Sequence, residues 1–110
     1  IYLMGNSMGM TGTLHLAAKM PEKWCAISPS DGPPWPNYPV ERLRSIAVLF
    51  GHGDKDDIAK LSDTRELTER AKAAGVDASM FVVPGGVHAT AWTKHLPQTF
   101  DFFAAHDCQR

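Results

Sequence analysis

Three short stretches carry the side chains that could do chemistry. They are Gly5-Asn6-Ser7-Met8-Gly9, the run Gly51-His52-Gly53-Asp54-Lys55-Asp56-Asp57, and Pro84-Gly85-Gly86-Val87-His88. A serine hydroxyl is a weak nucleophile until a base removes its proton. Imidazole does so near neutral pH when a carboxylate orients its other ring nitrogen. A Gly-x-Ser-x-Gly spacing between a strand and a helix lets the chain turn sharply and lift the hydroxyl above a sheet, with Gly5 and Gly9 expected to omit side chains that would collide there. The acid is less determined by spacing, because Asp54, Asp56 and Asp57 fall within four residues. His52 and these aspartates are also metal-ligand types. Their spacing fits neither a calcium loop nor a paired-histidine zinc motif, so no metal and no cofactor are expected.

The elements that must position these residues are readable from periodicity. Ile1 to Met4 is a continuous apolar run suited to a strand covered on both faces, and Met8 to about Met20 holds good helix formers that Pro21 stops. Trp24 to Ser28 reads as a second strand. The segment from Pro29 to Pro39, with five prolines in eleven residues, reads as a rigid loop. Ile46 to Phe50 is the clearest buried strand, with the acidic run as the loop that follows. Ser62 to Ala74 alternates charged and apolar residues at helical spacing, with Ser62 or Asp63 as the cap and Gly75 as the left-handed stop. Ala78 to Val83 is a fourth strand, and Thr90 to about Ala105 a closing helix that Pro97 should kink or restart. Strands alternating with helices predict a three-layer α/β architecture: a parallel sheet of about four strands with helices on both faces. Ligands in such sheets sit beyond the carboxyl ends of the strands. The loops there offer Ser7, then Asp31, then His52 with its aspartates, then His88. His15, His95 and His106 read as packing or surface residues.

Composition sets the outer limits. The chain has 110 residues, 44% of them hydrophobic, which allows one small domain over residues 1–110 with a modest core. Eleven Lys and Arg are set against twelve Asp and Glu, scattered to a net charge of −1, so no basic stripe favours nucleic acid or an anionic membrane. No apolar run reaches the roughly 20 residues of a membrane helix, and no membrane partner is expected. Cys25 and Cys108 have no spacing typical of a zinc site or a disulfide framework. The simpler expectation is a buried small hydrophobe and a free tail thiol, with a bridge as the alternative.

Taken together, these motifs resemble the α/β-hydrolase superfamily. Gly5-Asn6-Ser7-Met8-Gly9 resembles its nucleophile elbow, "LFGHGDKDD" its His-Gly-x-x-Asp acid loop and "PGGVHATAW" its histidine loop, in the chain order Ser, Asp, His. The elbow and acid loop are most similar to esterases related to polyhydroxybutyrate depolymerases and feruloyl esterases, and to prolyl-oligopeptidase-type peptidases. The resemblance implies Ser7 as nucleophile, His88 as general base and Asp56 as acid, with Asp57 next in line. It implies the Met8 backbone N–H as one oxyanion donor, the other coming in the family from a loop well before the elbow. The activity it implies is hydrolysis of a small ester through an acyl-enzyme, with a peptide substrate as the alternative. Trp35 and Trp92 are candidates for an aromatic wall around the substrate, against the reading that they pack beneath loops. A chain that begins at Ile1, inside a strand run, is expected to be the C-terminal portion of such a hydrolase, without its first strands, so that the complete form is active and this piece by itself weak or inactive. An exposed edge at that strand would then favour a homo-oligomer. The rival reading is a catalytically silent binding or oligomerising module, and the compartment is left open.

Overall fold

The computed structural model describes residues 1–108. Four parallel strands, β1 (Tyr2–Asn6), β2 (Ala26–Ser30), β3 (Ala47–Gly53) and β4 (Asp77–Val83), lie side by side in the order β1-β2-β3-β4. Between them run the helices α1 (Met8–Lys19) and α2 (Leu61–Ala73), and the chain closes with α3 (Ala91–Lys94) and α4 (Leu96–Ala105). Each strand pairs with the next in sequence, so all four carboxyl ends point the same way and deliver their loops to one rim.

The three layers follow from which residues are apolar. Ile27, Val48 and Phe50 point to one face and are fully buried there with Met10, Leu14 and Ala17 of α1 and Leu67 and Ala71 of α2. Each of the larger side chains among them, from Val48 up to Phe50 in size, contributes about 1.5 to 3 kcal/mol by leaving water. Alternate residues Ala26 and Ala47 face the other way, against Phe103 of α4. Small alanines on that face let a short helix approach closely. The restart forecast at Pro97 is present: α3 ends at Lys94, His95 leaves helical geometry, and Pro97 occupies the first turn of α4. Gly75 takes φ +87° after α2, as its position required. No described helix is long and apolar enough to cross a membrane.

Several expectations need correction. Helix α2 begins one residue before Ser62, and neither Ser62 nor Asp63 caps it, because the preceding Lys60 occupies the cap position without a side-chain bond. Strand β2 runs on through Pro29 to Ser30. The proline is tolerated because pairing toward β3 is interrupted at Ser28 and Pro29 and resumes with Ser30 opposite Gly51. Strand β3 extends through Gly51-His52-Gly53, which had read as loop. Bare glycines are needed at both ends: a Cβ on Gly51 would lie 2.9 Å from His95 Nε2, and one on Gly53 only 2.3 Å from the Gly86 carbonyl oxygen. Cys25 and Cys108 are joined in a disulfide rather than standing as a buried hydrophobe and a free thiol. Helix α4 turns the tail back alongside the start of β2, bringing the two Cα atoms to 5.2 Å.

Candidate active site

Ser7 is the single residue between β1 and α1, and its backbone sits at φ 61°, ψ −120°. That left-handed conformation is unfavourable for any residue with a Cβ, and a turn this tight holds it only because the chain on both sides is fixed. The Ser7 N–H donates to the Ser30 carbonyl oxygen at 2.9 Å, and the Met10 N–H donates back to the Ser7 carbonyl oxygen. The two flanking glycines differ in what they do. A Cβ on Gly5 would lie 2.0 Å from the Gly9 carbonyl oxygen, whereas one on Gly9 would meet nothing within 4 Å. The expectation that both glycines avoid collision therefore holds for Gly5 alone. Gly5→Ala is expected to cost about 3 kcal/mol or more, and Gly9→Ala to be neutral or stabilising by up to about 1 kcal/mol. Urea denaturation of the two variants checks the contrast.

His88 reaches the turn from the loop after β4. Its Nε2 lies 2.7 Å from Ser7 Oγ, and its Nδ1 lies 2.8 Å from Asp56 Oδ2. A carboxylate can only accept, so Nδ1 carries the proton and Nε2 presents a lone pair to the Ser7 hydroxyl. Asp56 is the aspartate brought to His88, while Asp57 is exposed. Asp54 holds the two loops together, its Oδ1 accepting from the Gly85 N–H at 2.7 Å. Burial works to raise the Asp56 pKa. The N–H groups of Ala59 and Ile58 and the His88 ring outweigh it and hold the carboxyl below its ordinary value, so it is an anion at neutral pH.

Beneath this row lies a second layer made by Asp31 and His52, which stand among the strand-end residues of the sequence but had no role assigned there. His52 is 0% exposed and saturated: Nε2–H donates to the Ala59 carbonyl oxygen at 2.8 Å, and Nδ1 accepts from the Thr64 hydroxyl at 2.8 Å. Asp31, at the end of β2, is also 0% exposed and has φ 52°. Ligand atoms of Asp31, His52 and Asp56 all lie within 4.8 Å of one another. They do not make a metal site, because the Ala59 carbonyl fixes the Nε2 proton and the Thr64 hydroxyl occupies the Nδ1 lone pair.

A cleft of about 410 Å³ opens over Ser7 and His88. Met8, Pro33, Pro34 and Ile58 give it apolar walls, and Lys60 and Asp63 also line it. Met8 and Ile58 are 84% and 74% exposed, so apolar surface stands free beside the serine. Neither tryptophan proposed as a wall lines this cleft. Trp35 packs edge-on against Tyr38 and faces a separate hollow with Glu66 and Arg70, and Trp92 donates its ring N–H to the Ala89 carbonyl. The Met8 N–H opens α1, where no carbonyl four residues earlier in the helix can accept it.

No sequence-family model matches the chain, and no curated protein matches it. Solved structures do. A thermostable esterase aligns over 96% of this chain with a TM-score of 0.81 at 22% identity. SOBER1 of Arabidopsis thaliana aligns over 96% with a TM-score of 0.80 at 20% identity, and a putative dienelactone hydrolase of Klebsiella pneumoniae over 99% with 0.71 at 23%. The fold is of the α/β-hydrolase type. The chain spans 30% of the thermostable esterase and 52% of each of the other two. Within this α/β-hydrolase-type fold, Ser7, Asp56 and His88 leave the carboxyl ends of β1, β3 and β4, at the rim where such sheets bind ligands.

Proposed function

We propose that the protein is a serine hydrolase acting on carboxylic esters with apolar acyl or aryl groups. The observation that carries this reading is the pair of hydrogen bonds from Ser7 Oγ to His88 Nε2 at 2.7 Å and from His88 Nδ1 to Asp56 Oδ2 at 2.8 Å. In it, His88 takes the Ser7 proton as Oγ attacks the substrate carbonyl carbon, and the Met8 N–H donates to the oxygen that becomes negative. The imidazolium, steadied by the Asp56 carboxylate, gives its proton to the leaving alkoxide or phenoxide. Water then repeats the sequence on the acyl-serine, with His88 again as base.

An ester rather than a peptide is supported by the apolar cleft and by the names of the structural neighbours, several of which are esterases. The test compares p-nitrophenyl acetate and p-nitrophenyl butyrate with a peptide p-nitroanilide. Faster hydrolysis of the esters, with butyrate preferred over acetate, is expected. Preferential cleavage of the anilide would overturn the substrate class while leaving the nucleophile in place.

A further inference from the structure

Asp31 has no part in the mechanism above, yet its side chain is as fully buried as that of Asp56. Its Oδ2 accepts from the Gly53 N–H at 2.9 Å, and its Oδ1 is buried with no partner that can donate to it. A fully buried carboxylate oxygen without a donor is costly, and the cost vanishes if that oxygen carries a proton and donates instead. A neighbouring acceptor is at hand, because a carboxylate oxygen of Asp31 and one of Asp56 lie within 4.8 Å of each other, with a ring nitrogen of His52 in the same group. Two carboxyls this close in a buried site cannot both ionise freely. Asp56 is the member with backbone N–H donors and the His88 ring to stabilise its charge. Asp31 is therefore the one to keep the proton. The backbone supports the assignment: the left-handed turn at Asp31 and its N–H bond to the Gly51 carbonyl oxygen at 3.0 Å aim the side chain under the end of β3.

We propose that Asp31 and Asp56 form a carboxyl pair sharing one proton, in which Asp31 is a positioning residue that donates to Asp56 and holds it in line with His88. The proposal rests on Asp56 being the acid of the hydrolase read above. Asp31 is faced by His52 of β3 and Asp56 of the loop after it, and it shares the cleft with His88, Lys60 and Asp63. Burial is the largest influence on Asp31 and raises its pKa to about 6, Asp56 adds to the rise, and the Gly53 N–H and His52 oppose it. The folded state thus holds a proton that the unfolded chain releases near its ordinary value of 3.8. The stability this confers is fully present below about pH 4 and is lost as pH rises through about 6.

Asp31→Asn tests this, since an amide in the same place accepts from Gly53 and donates to Asp56 permanently. Urea unfolding at pH 4 and pH 7 should show the folding equilibrium constant of the wild type falling roughly 10- to 100-fold relative to that of Asp31→Asn. His95 titrates in both proteins, and the amide of Asp31→Asn keeps a donor toward Asp56, so the difference reports the proton held by the Asp31–Asp56 pair. For kcat on p-nitrophenyl butyrate, Asp31→Asn should stay within roughly threefold of wild type, whereas Asp31→Ala should lose roughly tenfold or more with little change in KM. The inference is overturned if the pH step is the same in wild type and Asp31→Asn, or if Asn impairs kcat as much as Ala does. The unfolding measurement needs no turnover, so a protein without esterase activity would contradict the proposed function and still decide whether Asp31 holds the proton.

Discussion

Replacing Ser7 by alanine is expected to lower kcat/KM for a p-nitrophenyl ester by roughly 10⁴- to 10⁶-fold, and His88→Ala by a similar amount. The size follows from how the parts depend on one another. Without Oγ there is no atom for His88 to activate, and without His88 the Ser7 hydroxyl keeps its proton at neutral pH. The double variant should therefore be little worse than either single one. Non-additivity separates a cooperating pair from two residues that merely line the same cleft. Asp56→Asn should be severe as well, on the order of 10⁴-fold, because an amide presents a donor where the His88 ring needs an acceptor and favours the wrong tautomer. Stability should move far less for Ser7→Ala, since the side chain's bond to His88 is partly exposed to water. Equal urea midpoints for Ser7→Ala and wild type, beside a collapse in turnover, are the expected pattern.

Reduction of the Cys25–Cys108 disulfide is the second change with a large effect, and it acts on stability. The bridge joins residues 83 positions apart, about three quarters of the chain. Restricting an unfolded chain in this way is worth about 4.5 kcal/mol in the loop-entropy treatment. Small domains have total stabilities of about 5 to 15 kcal/mol, so the reduced protein should be marginal. The bridge also ties the end of α4 to the start of β2, and with it Phe103 to its place over Ala26 and Ala47. Urea unfolding with and without dithiothreitol, together with the Cys25→Ala/Cys108→Ala variant, measures the difference. A loss of several kcal/mol on reduction, reproduced by the double variant, is expected.

The layered fold was legible because it depends on residues near one another in sequence. Apolar runs such as Ala47 to Phe50, and helical spacing such as Thr64, Leu67, Thr68 and Ala71, carry the whole signal for their elements. The strand ends were not. Gly51-His52-Gly53 looks like a loop in isolation, and it is a strand because His52 finds Thr64 and Ala59 while Gly53 admits the Gly86 carbonyl. Those partners come from elements not yet formed when the tripeptide is read alone. The same reason explains the site. Ser7 and His88 stand out by their glycine-rich loops. The spacing of the three aspartates did not choose among them; the resemblance to a His-Gly-x-x-Asp loop put Asp56 ahead of Asp57, and it is Asp56 whose Oδ2 lies 2.8 Å from His88 Nδ1, while the approach of Asp31 to Asp56 needs β2 and β3 to be neighbours. The disulfide was hidden likewise, since the return of the tail beside β2 is a property of how α4 packs.

If His88 activates Ser7 as a nucleophile, Ser7 must react covalently with an electrophile that mimics an ester under attack. The protein is treated with a fluorophosphonate and analysed by intact mass and peptide mapping, beside Ser7→Ala and His88→Ala. A single adduct on Ser7, absent from both variants, is expected. An adduct that persists in Ser7→Ala, or a folded wild-type protein that takes up no label, would contradict it.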